Sequence, residues 1–461
     1  AEHKIDLVEP NAYRLNFKPE DLLEGIVEIQ ASGSGYLVVE DVEEDCYVYS
    51  KHMINALHKD KVLALKTIRK GKSEAYVLKV LERANTQFIG VYHRKSTEKY
   101  GFVVVDKSKI HVDFYIDEMD SMGAQHGHKV VIELKNWPPY ATSPSGTIVN
   151  ILGDSGEHQT EMHAILAEYG LPAEFPAELE TLAESLSDGI TPQEVSKRRD
   201  MRSILTFTID PADAKDFDDA LSFEDLGNGL YEIGVHIADV SHYIVPGTAL
   251  DDEAYARATS VYLVDRVVPM LPERLSNGVC SLRPHEDKLT FSAVFQMDEN
   301  AKIHAQWFGR TLIHSDQRFS YEQAQEIIEL GEGTHAKELA LMNKMAKIMR
   351  EKRLNDGAIS FDKLEVKFNL DESANPVGVY FKHSRDANKL IEEFMLLANR
   401  KVSEFVSLNA DGTASKNTFV YRIHDDPDPD KLLSLKQFVK PFGYDLDLAN
   451  PKAVAQSINR L

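Results

Sequence analysis

Thr208-Ile209-Asp210-Pro211-Ala212-Asp213-Ala214-Lys215-Asp216-Phe217-Asp218-Asp219-Ala220 places five acids within ten residues, interrupted by one lysine. Upstream, Ile204 to Ile209 is rich in β-branched and aromatic residues, the composition of a strand. Downstream, Ala220-Leu221-Ser222-Phe223 leads through Leu226-Gly227-Asn228-Gly229 into Tyr231-Glu232-Ile233-Gly234-Val235-His236-Ile237-Ala238-Asp239. That second run alternates, and the glycine-rich link predicts a hairpin turn. The acids therefore lie on a short loop held at both ends by sheet.

Carboxylates packed together repel and take up protons unless a cation compensates them. Hard oxygen ligands supplied by few residues suit Mg²⁺ or Mn²⁺, which keep waters and share positions with a substrate phosphate. Two such ions about 3.5–4 Å apart activate water and stabilise a leaving oxygen in phosphodiester cleavage. Aspartate is also an ordinary turn residue. An acidic surface loop is thus the plain alternative, and the flanking strands weigh against it.

Outside the loop, 461 residues exceed one core and predict several domains. The longest apolar runs fall far short of a membrane span, and no charged-then-apolar leader is read at the start. Cys46 and Cys280 lie in different regions and offer no disulfide framework, which fits a reducing cytoplasm. The net charge of −22 argues against nucleic acid, whose ligands usually carry a basic footprint. A narrow basic channel or bound metal is compatible with it.

An internal repeat begins near Gly25. Gly35-Tyr36-Leu37-Val38-Val39, Cys46-Tyr47-Val48-Tyr49 and Ala56-Leu57-His58 are echoed by Gly101-Phe102-Val103-Val104-Val105, Phe114-Tyr115-Ile116 and Ala124-Gln125-His126, with landmarks 65 to 68 residues apart. Short alternating strands at that period predict two five-stranded barrels. The Gly-aromatic-Val-Val pattern resembles cold-shock domains, which are oligonucleotide-binding (OB) barrels. Such barrels stack bases on aromatics of one face. Tyr36, Tyr47, Tyr49, Phe102, Phe114 and Tyr115 are the candidates, and alternation leaves open which of them are core. Tyr36 and Phe102 are carried as RNA-binding residues.

The expected fold is multidomain: two all-β OB/cold-shock barrels followed by an α+β domain. The boundaries read are 1–20 for a tail or connector, 21–80 and 81–155 for the barrels, and 156–461 for the α+β domain. Helices are expected over His158–Gly170, Asp251–Thr259, His335–Asn355, Lys389–Val406 and Pro429–Phe442. A strand is expected over Phe419–Ile423. Lys197-Arg198-Arg199-Asp200-Met201-Arg202 reads as either a contact for RNA phosphates or a helix-end neutraliser.

The string Ile209-Asp210-Pro211 through Asp216-Phe217-Asp218-Asp219-Ala220 resembles the signature of the RNB family, the hydrolytic, processive 3′→5′ exoribonucleases of ribonuclease II and ribonuclease R type. The resemblance continues in Val235-His236-Ile237-Ala238-Asp239-Val240-Ser241, Val268-Pro269-Met270-Leu271-Pro272, Cys280-Ser281-Leu282-Arg283-Pro284 and Leu390-Ile391-Glu392-Glu393-Phe394-Met395-Leu396. Domain order favours the ribonuclease R type.

It implies that Asp210, Asp216, Asp218 and Asp219 hold Mg²⁺ (or Mn²⁺), with Asp218 the catalytic residue least replaceable for turnover. It implies that Tyr262 stacks on the 3′-terminal base and that Phe361 clamps the other side. Tyr321 and Glu393 would hold the end nucleotide and read ribose. The implied product is nucleoside 5′-monophosphate. The implied partner is single-stranded RNA, or structured RNA with a 3′ overhang, acted on by a monomer away from membranes. In the family, a motif of Ser-Pro-Ile-Arg type and an S1 barrel follow, and a helix-turn-helix region often precedes. The sequence contains none of these, so the reading expects a fragment of a larger enzyme. Two competitors remain: an RNA-binding module on the same scaffold, and a metal phosphoesterase acting on DNA or small nucleotides.

Overall fold

The computed structural model describes residues 5–9, 12–15 and 21–461, apart from 41, 43, 70, 106–109, 111, 139–140, 173, 361–363 and 424. The chain divides into two compact units, 1–173 and 174–461.

In the first unit the repeat becomes two closed barrels. One is built from Leu22–Ile29, Gly35–Val38, Cys46–Val48, Lys61–Arg69 and Lys72–Glu82. The other uses Gln87–His93, Tyr100–Val105, Phe114–Asp117, His128–Asn136 and Ser145–Asp154. Several strands, among them Gly35–Val38, Cys46–Val48, Gln87–His93 and Phe114–Asp117, alternate buried and more open residues, so Val27, Leu37, Val48 and Val62 fill one core while Tyr92, Val103, Phe114 and Ile116 fill the other. The shared landmark Gly35 is required by close approach, since a Cβ there would strike the backbone of Glu28. The helix His158–Glu168 packs against strands of the second barrel, and the division between units falls beyond it.

The second unit is organised on a seven-stranded sheet. Its order across the sheet is Arg199–Asp200, Ile303–His314, Asp287–Asp298, Leu230–Ala238, Asp219–Gly227, Leu205–Asp210 and Gln317–Ser320. Apolar residues pack on both faces of its central strands. On one side Phe207, Leu221, Ile233 and Phe295 pack with Ala324, Met342, Met345, Leu390 and Phe394 from the helices Tyr321–Leu330, Ala336–Asn355 and Asp386–Ser407. On the other, Ala220, Ala238 and Val294 pack with Leu179, Leu250, Leu275 and Leu282.

One expectation differs from the structure. Phe419–Ile423 forms no strand, and Val420 and Ile423 are 88% and 81% exposed. Among the described residues no partner edge is paired with that segment, and an extended run without a ladder is not sheet. The basic run follows the helix Pro192–Val195, Lys197 and Arg202 are exposed, and its four cations are paired with carboxylates. Arg198 is buried, donating to Glu194 Oε1 at 2.8 Å and Asp239 Oδ2 at 2.7 Å, while Arg199 pairs with Glu232 and Arg202 with Asp200 and Asp287. Among the described residues, no helix is long and apolar enough to cross a membrane.

A polar strip crosses the sheet interior at His236, whose Nδ1 lies 2.6 Å from Ser292 Oγ, itself bonded to the Thr311 hydroxyl. Gly234 leaves the space that the ring occupies. Burial, with a smaller contribution from Arg199, depresses the imidazole to about 3. The unfolded chain takes up a proton near pH 6.5 while the folded chain does not, so acid favours unfolding below that value. Relative to His236→Gln, the parent chain is therefore expected to lose about 2 kcal/mol of stability between pH 7 and pH 5, read from urea unfolding at both values.

Candidate active site

The acidic loop joins Leu205–Asp210 to Asp219–Gly227, which pair antiparallel with Phe207 opposite Leu221. Asp210 ends the first strand and Asp219 begins the second, so the sheet fixes the two outer acids. The backbone between them is held by segments distant in sequence. Ser281 Oγ donates to Lys215 O at 2.8 Å and accepts from Phe217 N at 3.0 Å. Leu282 N donates to Phe217 O, and Ala238 N donates to Asp218 O at 2.9 Å. Phe217 itself is buried, anchoring the loop between its acids.

The electrostatics follow from that confinement. Burial, reinforced by Asp219 and Asp218, pushes Asp210 up to about 7. Burial and Asp218 push Asp219 up to about 6, and Asp218 is raised by burial and then by Asp216. Asp210 Oδ2 is buried and has no hydrogen-bond partner among the described residues. Carboxylates in this condition lack a positive charge. The donor set, all hard oxygens, fits Mg²⁺ or Mn²⁺ bound through few protein atoms. Among the described residues no three acidic, histidine or cysteine side chains already enclose a metal position. The fit therefore lies in the chemistry and charge of the donors rather than in a finished cage.

The structure brings two of the remaining candidates to this loop. Tyr262 is 65% exposed, and its hydroxyl donates to Asp216 Oδ2 at 2.8 Å. That hydrogen bond, ahead of burial, raises the phenol to about 12. Tyr321 is the first residue of a helix capped by Ser320 in a reciprocal bond with Gln323, directly after the strand that pairs with Leu205–Asp210. Burial first, then Asp210 and Asp219, raise its phenol to about 12. Glu393 is 3% exposed and gripped by Arg353, with Nη2 2.5 Å from Oε1. Phe361 lies outside the described residues.

In the barrels, Tyr36 and Tyr47 meet edge to face at 5.4 Å and Tyr47 and Tyr49 at 4.8 Å. Phe102 and Tyr115 form the matching surface in the second barrel, whereas Phe114 is core. Tyr100 completes that surface, stacked 5.5 Å from Tyr115. Its place before Gly101 gave no sign, because the first copy has Ser34 there. Ser281 was visible only as part of a motif whose bracing role needs the fold.

Comparison with known proteins decides the family. The RNB domain matches residues 198–461. The chain belongs to the RNB family. The Ribonuclease B OB domain matches residues 25–80 and the Cold shock domain residues 102–176, each falling on one barrel. Ribonuclease R of Thermotoga maritima is 38% identical over 433 residues, covering 92% of this chain and 60% of that protein. The chain spans about 60% of the length of the curated relatives it matches first. Among solved structures, Mycoplasma genitalium RNase R in complex with ribose-methylated single-stranded RNA shares the fold with a TM-score of 0.84 at 24% identity, covering 95% of this chain and 70% of that one. Yeast Ssd1, described as a pseudonuclease, shares it with a TM-score of 0.66 at 18% identity, covering 96% and 61%.

Within this RNB fold, Ser281→Ala leaves the Lys215 carbonyl and Phe217 amide without their shared partner. A loss of about 1–3 kcal/mol in unfolding free energy is expected, measured by denaturant titration. An unchanged midpoint would show that Ser281 does not brace the loop.

Proposed function

We propose that this chain carries the catalytic machinery of a metal-dependent 3′→5′ exoribonuclease that releases nucleoside 5′-monophosphates from single-stranded RNA, or from structured RNA entered at a 3′ overhang. The observation that carries the reading is the set of desolvated, mutually repelling aspartates on a braced loop. Fold likeness alone is insufficient, because a pseudonuclease has the same fold.

Asp210, Asp216, Asp218 and Asp219 are the residues that would hold Mg²⁺ or Mn²⁺. The chemistry supplied there by a bound divalent ion would be a lowered water pKa and stabilised charge on the leaving oxygen. The chain's own groups do the positioning. The Tyr262 ring offers an exposed face to the 3′-terminal base while its hydroxyl orients Asp216. Tyr321 borders the aspartates, where a half-buried phenol is able to donate to a phosphate or ribose oxygen. Glu393, held by Arg353, is an acceptor suited to a ribose hydroxyl. Phe361 is carried as the opposing clamp. Tyr36 and Phe102, with their aromatic neighbours, stack upstream bases. Two buried free thiols support a reducing, cytoplasmic setting, and action as a monomer is part of the same reading.

Asp218→Asn is expected to lower turnover at least about a thousandfold while leaving RNA affinity intact. The check is a 3′-shortening assay beside a binding titration on the same labelled RNA. Retained turnover would remove Asp218 from catalysis. Shortening of a deoxyribose oligomer at the same rate would redirect the reading to a general phosphodiesterase.

A further inference from the structure

Arg318 stands on the strand Gln317–Ser320, which pairs in parallel with Leu205–Asp210 so that Arg318 lies opposite Thr208 and Ser320 opposite Asp210. Its Nη2 donates to two consecutive carbonyls, Pro211 O at 2.8 Å and Ala212 O at 2.7 Å. The same guanidinium lies over the Phe217 ring, 5.4 Å from its centre. One side chain thus touches the acidic loop just after Asp210 and again just before Asp218. Among the described residues it makes no ion pair, and its Nε is buried without a partner. An orphaned buried donor costs about 1–3 kcal/mol. Stability alone therefore gives a poor account of this placement.

We propose that Arg318 is the positioning residue of the acidic loop: by gripping both of its ends, it keeps Asp210 and the Asp216–Asp219 segment facing a common cation against their mutual repulsion. The inference rests on the reading of the aspartates as metal ligands. It assigns Arg318 no contact with substrate. The extended guanidinium plane is essential to the role, because Nη2 meets both carbonyls while the rest of the plane lies over the Phe217 ring, and an ammonium set on the carbonyls has no planar group left to cover the ring.

The test compares the full chain with Arg318→Ala and Arg318→Lys. Hydrogen exchange of the segment 208–220 is followed without metal, Mn²⁺ affinity by electron paramagnetic resonance, and RNA affinity in chelator. Arg318→Ala is expected to speed exchange at Ala214 and Phe217 and to weaken Mn²⁺ binding by about tenfold or more, with RNA affinity unchanged. Arg318→Lys is expected to resemble the alanine variant. Exchange and Mn²⁺ affinity equal to the parent's in Arg318→Ala would overturn the proposal. So would full rescue by lysine, which would show that charge rather than the two-ended grip matters. A parent chain that binds no Mn²⁺ would overturn the metal reading and this proposal with it. With a parent that does bind Mn²⁺, a variant result equal to the parent's overturns the role of Arg318 alone.

Discussion

Carboxylates brought together away from water repel one another, and the second unit is arranged around a loop that has to withstand that repulsion. Asp210, Asp218 and Asp219 are each raised by burial first and by neighbouring acids of the same loop second. Left to itself, an irregular segment of this kind would open and let the acids move into solvent. It is prevented from doing so by backbone contacts from three distant places: Ser281 and Leu282, Ala238, and Arg318. Arg318 alone among them carries positive charge, which acts against the rise at Asp210 without outweighing burial, and none of the contacts is an ion pair. They hold the backbone still while leaving the negative charge for a cation to offset.

The sheet explains why the site forms where it does. Leu205–Asp210 and Gln317–Ser320 run parallel and finish level, with Asp210 opposite Ser320. The chain leaves one strand into the acidic loop and the other into the helix that starts with Tyr321. Carboxyl ends of neighbouring parallel strands are where α/β sheets gather functional groups, because the chain diverges there and exposes a crevice. The apolar layers on both faces keep these ends fixed, so small displacements of the loop are resisted by packed core rather than by other loops.

Much of this was legible from local pattern. The strands beside the acids, the Gly227-Asn228-Gly229 turn and the 65-to-68-residue repeat follow from periodicity and turn chemistry, which act within a few residues. The four aspartates were legible for the same reason, since one loop carries them all. What escaped depends on contacts between distant segments. The run holding Arg198 read as either an RNA contact or a helix-end neutraliser, and only the fold shows Arg198 buried against Asp239. Phe419–Ile423 has strand composition but no neighbouring edge. Glu393 shows no sign in sequence of its partner Arg353, and Ser281 and Arg318 brace a loop more than 60 residues away from either. Family resemblance named positions such as Tyr262, and the geometry adds what that resemblance did not contain, a hydroxyl bonded to Asp216.

The most direct measurement incubates this chain with a 5′-labelled single-stranded RNA of about 30 nucleotides, with and without Mg²⁺. A ladder that shortens from the 3′ end only when metal is present is the result the account predicts. RNA held tightly but left at full length in Mg²⁺ and in Mn²⁺ alike would contradict it, and the aspartate loop would then belong to a binding protein rather than to a nuclease.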